Sequence, residues 1–148
     1  MKDVPSKLRL NPLWQDVYEL VVHIYGKIDE IMDNFPDEKW TTASKLRNSA
    51  NDSLFYIAQS IGNTSIEAAE YDWSNSRKSI FALQTMYIFA GKQKFLELDP
   101  DIVVRIDKIL EKIDSSIEAS KKEVERKNKK ELEPWLEKYR LWKEMQNS

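Results

Sequence analysis

The sequence predicts an all-α protein, an up-down-up-down four-helix bundle that is followed by a C-terminal amphipathic helical arm. Only three glycines and five prolines occur in 148 residues, which is typical of long helices joined by short connections. Apolar residues recur at every third or fourth position through four successive segments, and no alternating β-branched run is bounded by turn residues. We assign residues 8–130 to the bundle and residues 131–148 to the arm.

The first predicted helix begins at Asn11 and Pro12. Asparagine is a favourable N-cap residue, and proline suits the first helical position because an N–H there would have no partner within the helix. The face expected to be buried consists of Trp14, Val17, Tyr18, Val21, Ile24, Tyr25, Ile28 and Ile31. The helix is expected to break at residues 33–36.

The second predicted helix opens at Pro36. Asp37 and Glu38 then place negative charge at the positive end of the helix dipole. The apolar positions of this helix follow a nearly strict heptad, and they are Ala43, Leu46, Ala50, Leu54, Ile57 and Ile61. Gly62 is expected to end the helix as a C′ residue.

The third and fourth predicted helices start with recognisable caps. Residues 64–67, "TSIE", form a capping-box pattern before the third helix, which is expected to stop near Gly91. Asp99 and Pro100 repeat the cap and proline before the fourth helix. The predicted apolar face of the third helix is Ile66, Ala69, Trp73, Ile80, Leu83, Tyr87 and Ala90. That of the fourth is Ile102, Ile106, Ile109, Ile113, Ile117 and Val124. Four helices with short connections pack as antiparallel neighbours.

Two helices carry more apolar residues than one buried face needs. The third helix has an additional stripe, and the fourth helix has a widened face. The residues concerned are Phe81, Ile88 and Phe95 on the third helix, and Val103, Val104 and Leu110 on the fourth. Either both helices lie deeper in the bundle, or these residues form the interface of a homo-oligomer, because large exposed apolar patches are uncommon on monomers.

The arm follows a highly charged segment, since residues 121–130 include a single apolar residue. Pro134 is expected to interrupt any continuous helix. The apolar residues at helical spacing beyond the charged segment are Leu132, Trp135, Leu136, Tyr139 and Trp142. We predict that the arm docks through Trp135, Tyr139 and Trp142 on its own bundle, on a neighbouring subunit or on a partner. Docking on protein is favoured over stacking on nucleic acid, because four glutamates in the arm would repel phosphates.

No pattern of catalytic or metal-binding residues is apparent. The chain has no cysteine and a single histidine, His23. Glu19 lies four residues before it, whereas the Glu-x-x-His motif of di-iron bundles requires three. No Gly-rich loop or nucleophile elbow occurs. We therefore expect a non-catalytic protein without metal or cofactor.

Charge is plentiful but balanced. Charged residues make up 32% of the chain, and the net charge is −2, so the overall basic field of many nucleic-acid-binding proteins is absent. The apolar core of a signal peptide and the long apolar run of a membrane span are both missing, so we expect a cytoplasmic protein without a membrane partner.

Six cations could form local phosphate contacts. These residues are Lys45, Arg47, Arg77, Lys78, Lys92 and Lys94. The alternative is that they only solvate helix faces. Short polar side chains nearby would add hydrogen bonds to phosphate, and these are Ser44, Asn48, Ser74, Asn75, Ser76 and Ser79. The two arginines, together with Lys45 and Lys78, are expected to share one patch on adjacent helices.

Four stretches resemble a known family. They are "LWQDVYELVVHIY", "FPDE", "SKLRNSANDSLFYIAQSIG" and "SRKSIFAL". In this order they resemble the small four-helix-bundle proteins first noted within intervening sequences of bacterial large-subunit (23S) rRNA genes. The same superfamily includes the accessory variability determinant of diversity-generating retroelements, which assists a reverse transcriptase. The similarity covers roughly residues 8 to 125. The arm lies beyond it, and the accessory determinant is strongly basic whereas this chain is not.

The resemblance implies a barrel-shaped homopentamer that binds nucleic acid or a reverse transcriptase. Arg47 matches the arginine of the family's Leu-Arg motif, and Arg77 and Lys78 fall in a region where such proteins carry basic residues. The expected function is thus that of a non-catalytic accessory protein that engages nucleic acid, a reverse transcriptase or both. The alternative is a purely protein-binding or structural oligomeric module, which the near-neutral charge favours.

Overall fold

The computed structural model describes residues 2–32 and 37–148 and contains five α-helices. They are α1 (Ser6–Arg9), α2 (Pro12–Met32), α3 (Asp37–Gly62), α4 (Ile66–Lys92) and α5 (Pro100–Gln146). The part of the chain that is described has no strand, so the predicted all-α class is confirmed. The short helix α1 was not predicted, and the predicted break at residues 33–36 lies outside the described residues. None of the described helices is both long and apolar enough to span a membrane.

Two of the predicted helix starts are confirmed. The side-chain oxygen Oδ1 of Asn11 accepts hydrogen bonds from two backbone N–H groups in the first turn of α2, at 3.0 and 3.1 Å. The side chain of Asp99 likewise accepts from the N–H of Asp101 at 3.0 Å, with Pro100 as the first residue of α5. Each carboxylate or amide oxygen satisfies donors that the helix itself leaves unpaired.

The connection between α3 and α4 differs from the prediction. Ser65 is the N-cap of α4, one residue later than Thr64, and its hydroxyl accepts a hydrogen bond from the N–H of Ala68 at 3.4 Å. Gly62 is the last residue of α3 and does not adopt the left-handed conformation, so its predicted role as C′ residue is wrong. The side chain of Asn63 turns the chain instead, because its Oδ1 accepts from the N–H of Ser65 at 2.8 Å.

The end of α4 explains one residue of the additional apolar stripe. Lys94 has a φ of 60°, and its N–H donates to the carbonyl of Gly91 at 3.0 Å. The N–H of Phe95 reaches the carbonyl of Ala90 at 2.8 Å. This pair of bonds is a Schellman motif, which usually includes an apolar contact across the helix end. That contact is the edge-to-face pair of Phe95 with Phe89, whose ring centroids lie 6.5 Å apart.

Replacing Lys94 with glycine should stabilise the protein, even though a side chain is lost. A residue with a Cβ atom in the left-handed region costs roughly 1 kcal/mol or more, and glycine avoids this cost. We expect Lys94→Gly to raise the free energy of unfolding by about 1 kcal/mol in urea titrations. Lys92→Gly is the matched control inside α4 and should lower it by about 1 kcal/mol. Equal losses in both variants would contradict the left-handed helix end.

The core follows the predicted helix faces closely. With three exceptions, every buried apolar residue belongs to a face that the periodicity predicts. The exceptions are Leu20, Leu96 and Leu110. Leu110 was predicted at an oligomer interface, but only 8% of it is exposed and it belongs to the core of this chain.

Cross-helix hydrogen bonds fix the directions of neighbouring helices. In α4 and α5, Arg77 pairs with Asp114 at 2.6 Å and Gln84 with Asp107 at 2.9 Å. Higher numbers in α4 therefore face lower numbers in α5, and the two helices are antiparallel. In both pairs the two residue numbers add up to 191. Any residue of α4 therefore lies opposite the residue of α5 whose number completes this sum.

A buried serine pair fixes the register of α3 and α4. The hydroxyls of Ser60 and Ser76 lie 2.9 Å apart, and Asn63 donates to the carboxylate of Asp72. These two helices are antiparallel as well. Small side chains allow this close approach, since the residues facing each other include serines that are buried in the core.

The fifth helix is continuous, so the predicted interruption at Pro134 is wrong. The helix runs for 47 residues with Pro134 inside it. Its last buried residue is Ile113, its last half-buried residue is Lys127, and residues 128–148 are all exposed. Proline removes one backbone hydrogen bond, but on this fully exposed segment water can satisfy the carbonyl group that loses its partner. The arm therefore leaves the bundle as an extension of α5.

Candidate binding surfaces

Four of the six predicted phosphate-binding cations are exposed lysines. They are Lys45, Lys78, Lys92 and Lys94. Among the side chains that the structure describes, none is an ion-pair partner of any of the four. Their ammonium groups are accordingly available to an anionic ligand.

Arg77 is engaged within the chain. Its Nε donates to Oδ1 of Asp114 at 2.6 Å, and its guanidinium carbon lies 4.5 Å from the centroid of the Phe81 ring. Both charged side chains are about half exposed, so this bridge contributes at most about 1 kcal/mol. The geometry makes Arg77 a link between α4 and α5, and a phosphate would have to compete with Asp114.

Arg47 is half-buried rather than presented to solvent. Its guanidinium carbon lies 5.6 Å from the centroid of the Tyr25 ring, whose hydroxyl donates to Asn51 of α3 at 2.5 Å. Its Nε is buried and has no hydrogen-bond partner in the described part of the chain. A pocket of about 30 Å³ adjoins it, lined also by Trp40, Ala43 and Ser44. That volume corresponds to about one water molecule, so the pocket cannot enclose a phosphate.

The predicted joint patch of Lys45, Arg47, Arg77 and Lys78 does not form. The α3–α4 register places Lys45 level with Ala90 and Gly91, next to Lys92 and at the end of the pair remote from Arg77. Thirteen residues separate Arg47 from the level of the serine pair, which is about 20 Å along a helix. The structure instead groups Lys45 with Lys92, and Lys94 follows at the same end.

The short polar residues near these cations divide between surface and core. Ser44 and Asn48 are exposed, whereas Ser74 and Asn75 are half-buried. Ser76 is completely buried, and Ser79 is 7% exposed. The hydroxyl of Ser79 donates to the carbonyl of Ser76 at 2.8 Å. The prediction that these two serines assist phosphate contact is therefore wrong, since both are internal.

The predicted oligomer-interface residues differ in exposure. Phe81 and Val104 are exposed, at 39% and 48%. Ile88, Phe95 and Val103 are half-buried. Only the first two present large apolar surface to solvent.

The α4–α5 register explains part of the additional stripes. It places Phe81 level with Leu110, and Ile88 level with Val103. The additional apolar residues of the two helices thus lie on matching levels. The burial of Leu110 and the partial burial of Ile88, Phe95 and Val103 favour the first of the two explanations given above, whereas Phe81 and Val104 project into solvent.

Further exposed apolar side chains lie on the bundle helices and were not singled out by the sequence. They are Val22, Trp40, Phe55, Tyr71 and Phe89, between 44% and 68% exposed. None of them belongs to a predicted buried face. A search for large apolar residues outside those faces would have found them.

The arm carries an uncovered apolar stripe. Its members are 52–68% exposed, and they are Leu132, Trp135, Leu136, Tyr139 and Trp142. The rings of Tyr139 and Trp142 lie 6.0 Å apart, and the ammonium of Lys138 lies 5.1 Å from the Trp135 ring. These contacts are all within the arm, so the predicted docking on the chain's own bundle does not occur in this structure.

A groove of about 340 Å³ lies where the arm leaves the bundle. Its lining comes from the α3–α4 connection, the first turns of α4 and the middle of α5, and includes Ile66, Ala69, Trp73, Ala119 and Glu123. The groove exists because α2 is shorter than its neighbours. Asp16 of α2 pairs with Lys112 of α5 at 2.7 Å, so Pro12 reaches only the level of Ser116.

The described ion pair nearest to the arm links α5 with α4. Lys127 hydrogen-bonds to the carboxylate of Glu67 in the first turn of α4. This hydrogen bond lowers the pKa of Glu67, and the carboxylate in turn raises the pKa of Lys127. The pair lies at the edge of the groove.

The described part of the chain has no metal-binding cluster. No group of three or more His, Cys, Asp or Glu residues there could hold a metal ion. His23 is exposed, and its Nε2 lies 3.8 Å from Oδ2 of Asp99 at the start of α5.

Comparisons with known proteins identify no relative of this chain. The chain matches no protein-family model, no curated protein and no solved structure. The surfaces described above are thus the basis for any functional assignment: a lysine-bearing end of the α3–α4 pair, exposed aromatic residues on the bundle helices, and an apolar arm beside a groove.

Proposed function

We propose that this protein is a non-catalytic, homo-oligomeric binding module. Its scaffold is an up-down-up-down bundle of α2, α3, α4 and α5. The antiparallel pairs α3–α4 and α4–α5 support this topology. So does the pairing of α2 with α5, where Asp16 lies opposite Lys112 and His23 opposite Asp99. Each of the four helices contacts two of the others.

The observation that carries the proposal is the exposed apolar surface. Large apolar side chains project from every bundle helix, in addition to those of the arm. Monomeric soluble proteins rarely leave extensive apolar surface uncovered, and interfaces are enriched in tryptophan, tyrosine and phenylalanine. Contact with further protein, first of all with other copies of this chain, would cover these side chains.

A second candidate function is that of an accessory protein that binds nucleic acid. Lys45, Lys92 and Lys94 favour this function. They lie at one end of the α3–α4 pair, and none of them has an ion-pair partner in the part of the chain described. The family resemblance adds a homopentamer and a reverse transcriptase as the expected assembly and partner. Oligomerisation would repeat the lysine-bearing end around a ring and so multiply its phosphate contacts.

The oligomer is tested by a charge placed on the exposed aromatic surface. Phe81 is 39% exposed, so Phe81→Glu should leave the fold intact while it opposes association. We expect the parent protein to show a multiple of 17.5 kDa by light scattering at micromolar concentration, and Phe81→Glu to show a smaller multiple. Circular dichroism should report unchanged helicity.

Ala82→Glu is the matched control for Phe81→Glu. Ala82 is exposed on the same helix, and its side chain points about 100° away from Phe81 around the axis. The Ala82→Glu substitution adds the same charge without removing an aromatic contact, so the oligomer should persist. A parent protein that remains at 17.5 kDa would contradict the homo-oligomer.

A further inference from the structure

We propose that the arm docks in an antiparallel, reciprocal manner on a second copy of this chain, with its apolar stripe in that copy's groove. The proposal rests on the proposed homo-oligomer and specifies one surface of it. Two halves of one interface are present on the same molecule: an apolar helix without a cover, and a groove without an occupant.

The stripe lies on the helix face that α5 already uses for packing. Ile102, Ile113, Val124 and Trp135 follow one another at intervals of eleven residues. Eleven residues are close to three helical turns, so these four side chains share one face. The first two are buried against the bundle and Val124 is half-buried, whereas Trp135 is 68% exposed. The arm thus extends a packing surface beyond the helices that cover it.

The groove offers the missing partner surface. It lies beyond the start of α2, where α4 and α5 continue without a neighbour on that side. Its apolar lining comes from Ile66, Ala69, Trp73 and Ala119. A helix of a second copy placed there would take the position that α2 occupies further along the bundle.

Charge identifies the occupant and its direction. Residues 121–130 contain six Lys or Arg and two Glu, a net charge of +4. Residues 131–146 contain four Glu and three Lys or Arg, a net charge of −1. Antiparallel pairing of two copies sets the basic segment of each beside the nearly neutral arm of the other, which carries four glutamates. Parallel pairing would set the two basic segments against each other.

The lengths of the two segments agree with this arrangement. If two α5 helices cross near Glu131, Trp142 of one copy lies level with Ser120 of the second, and Tyr139 lies level with Glu123. Ser120 and Glu123 line the groove. The same crossing delivers the second arm to the first groove, so this interface closes with two-fold symmetry.

Two leucines of the arm provide a matched test of the stripe. Leu136 is on the stripe and is 56% exposed, whereas Leu141 is 48% exposed on the opposite side of the helix. Both can become lysine without disturbing the bundle core. We expect Leu136→Lys to halve the mass of the assembly in light scattering, and Leu141→Lys to leave it unchanged.

The outcomes separate this proposal from the homo-oligomer on which it rests. A parent oligomer with the same mass in both leucine variants would overturn the arm exchange and leave the oligomer intact. A monomeric parent would overturn both. Halving by Leu141→Lys as well would show that added charge alone is responsible, and would also overturn the docking of the stripe.

The direction is tested by distance. The chain has no cysteine, so Met145→Cys introduces a single site for a spin label on the full-length protein. In the antiparallel arrangement the labels of two copies lie about 40 Å apart, because each is fourteen residues from the crossing point. Parallel arms would bring them within about 20 Å. A short distance would overturn the antiparallel arrangement.

Nucleic acid is the alternative occupant of the stripe, because bases stack on aromatic side chains. A single-stranded oligothymidine serves as the probe. Under the proposal, the parent and Leu136→Lys proteins bind it with the same affinity. An assembly mass that is unaffected by Leu136→Lys, together with a tenfold or greater loss of oligothymidine binding, would assign the stripe to nucleic acid and overturn the proposal.

Discussion

Replacing Lys45, Lys92 and Lys94 together with glutamine should strongly weaken binding to nucleic acid and flatten its salt dependence. Each lysine that neutralises a phosphate releases about one counterion, so the slope of log affinity against log salt should fall by roughly two to three units. The three lysines share one end of the α3–α4 pair. Filter binding or fluorescence anisotropy over a salt series measures both effects.

A control with the same change in net charge separates position from total charge. Lys78, Lys108 and Lys122 are also exposed and have no ion-pair partner among the described side chains, but they lie on other levels of α4 and α5. Their joint replacement with glutamine should leave most of the binding intact. Equal losses in the two triple variants would mean that binding responds only to net charge, and the lysine-bearing end would not be a site.

Arg77 is not suited to the same test of phosphate contact, because it is engaged within the chain. The structure places it in an ion pair with Asp114 and against the Phe81 ring. Its removal therefore acts on the link between α4 and α5 more than on a free cation. The sequence could not distinguish this role from phosphate contact, because the pairing depends on the register between two helices that are far apart along the chain.

The helices and the residues of their buried faces could be predicted well from the sequence. Caps such as Asn11 and Asp99 depend on hydrogen bonds within three residues, and the core faces depend on a 3.6-residue period. Both are local properties. Leu20 lies three residues after Val17 and four before Ile24, so the same period includes it, and its omission from the predicted face is an error of the prediction.

The errors arose where the environment outweighed local propensity. Pro134 was expected to break a helix, yet it lies in an exposed extension where the lost hydrogen bond leaves no buried carbonyl. Serine is usually exposed, so the sequence predicts Ser76 and Ser79 on the surface. Their burial follows from the close approach of α3 and α4, which no single helix reveals.

The buried serine pair is the basis of the second large effect, which we expect from Ser76→Leu. Ser76 is completely buried, and its hydroxyl lies 2.9 Å from that of Ser60 on the facing helix. A leucine at this position would have to fill space that α3 already occupies. Overpacking of a core typically costs 1–3 kcal/mol, and the buried Ser60 hydroxyl would also lose a partner. We expect a destabilisation of about 3 kcal/mol, or roughly 10 °C in melting temperature.

Two substitutions define the cause of that loss. Ser74→Leu makes the same chemical change two residues earlier on a half-buried position and should cost less than about 1 kcal/mol. Ser76→Ala removes only the hydroxyl. The Ser60 hydroxyl still donates to the carbonyl of Tyr56 at 2.8 Å, so the loss should be near 1 kcal/mol. If Ser76→Leu unfolds at the same temperature as Ser74→Leu, then α3 and α4 do not meet through this serine, and the close packing that sets their register is wrong.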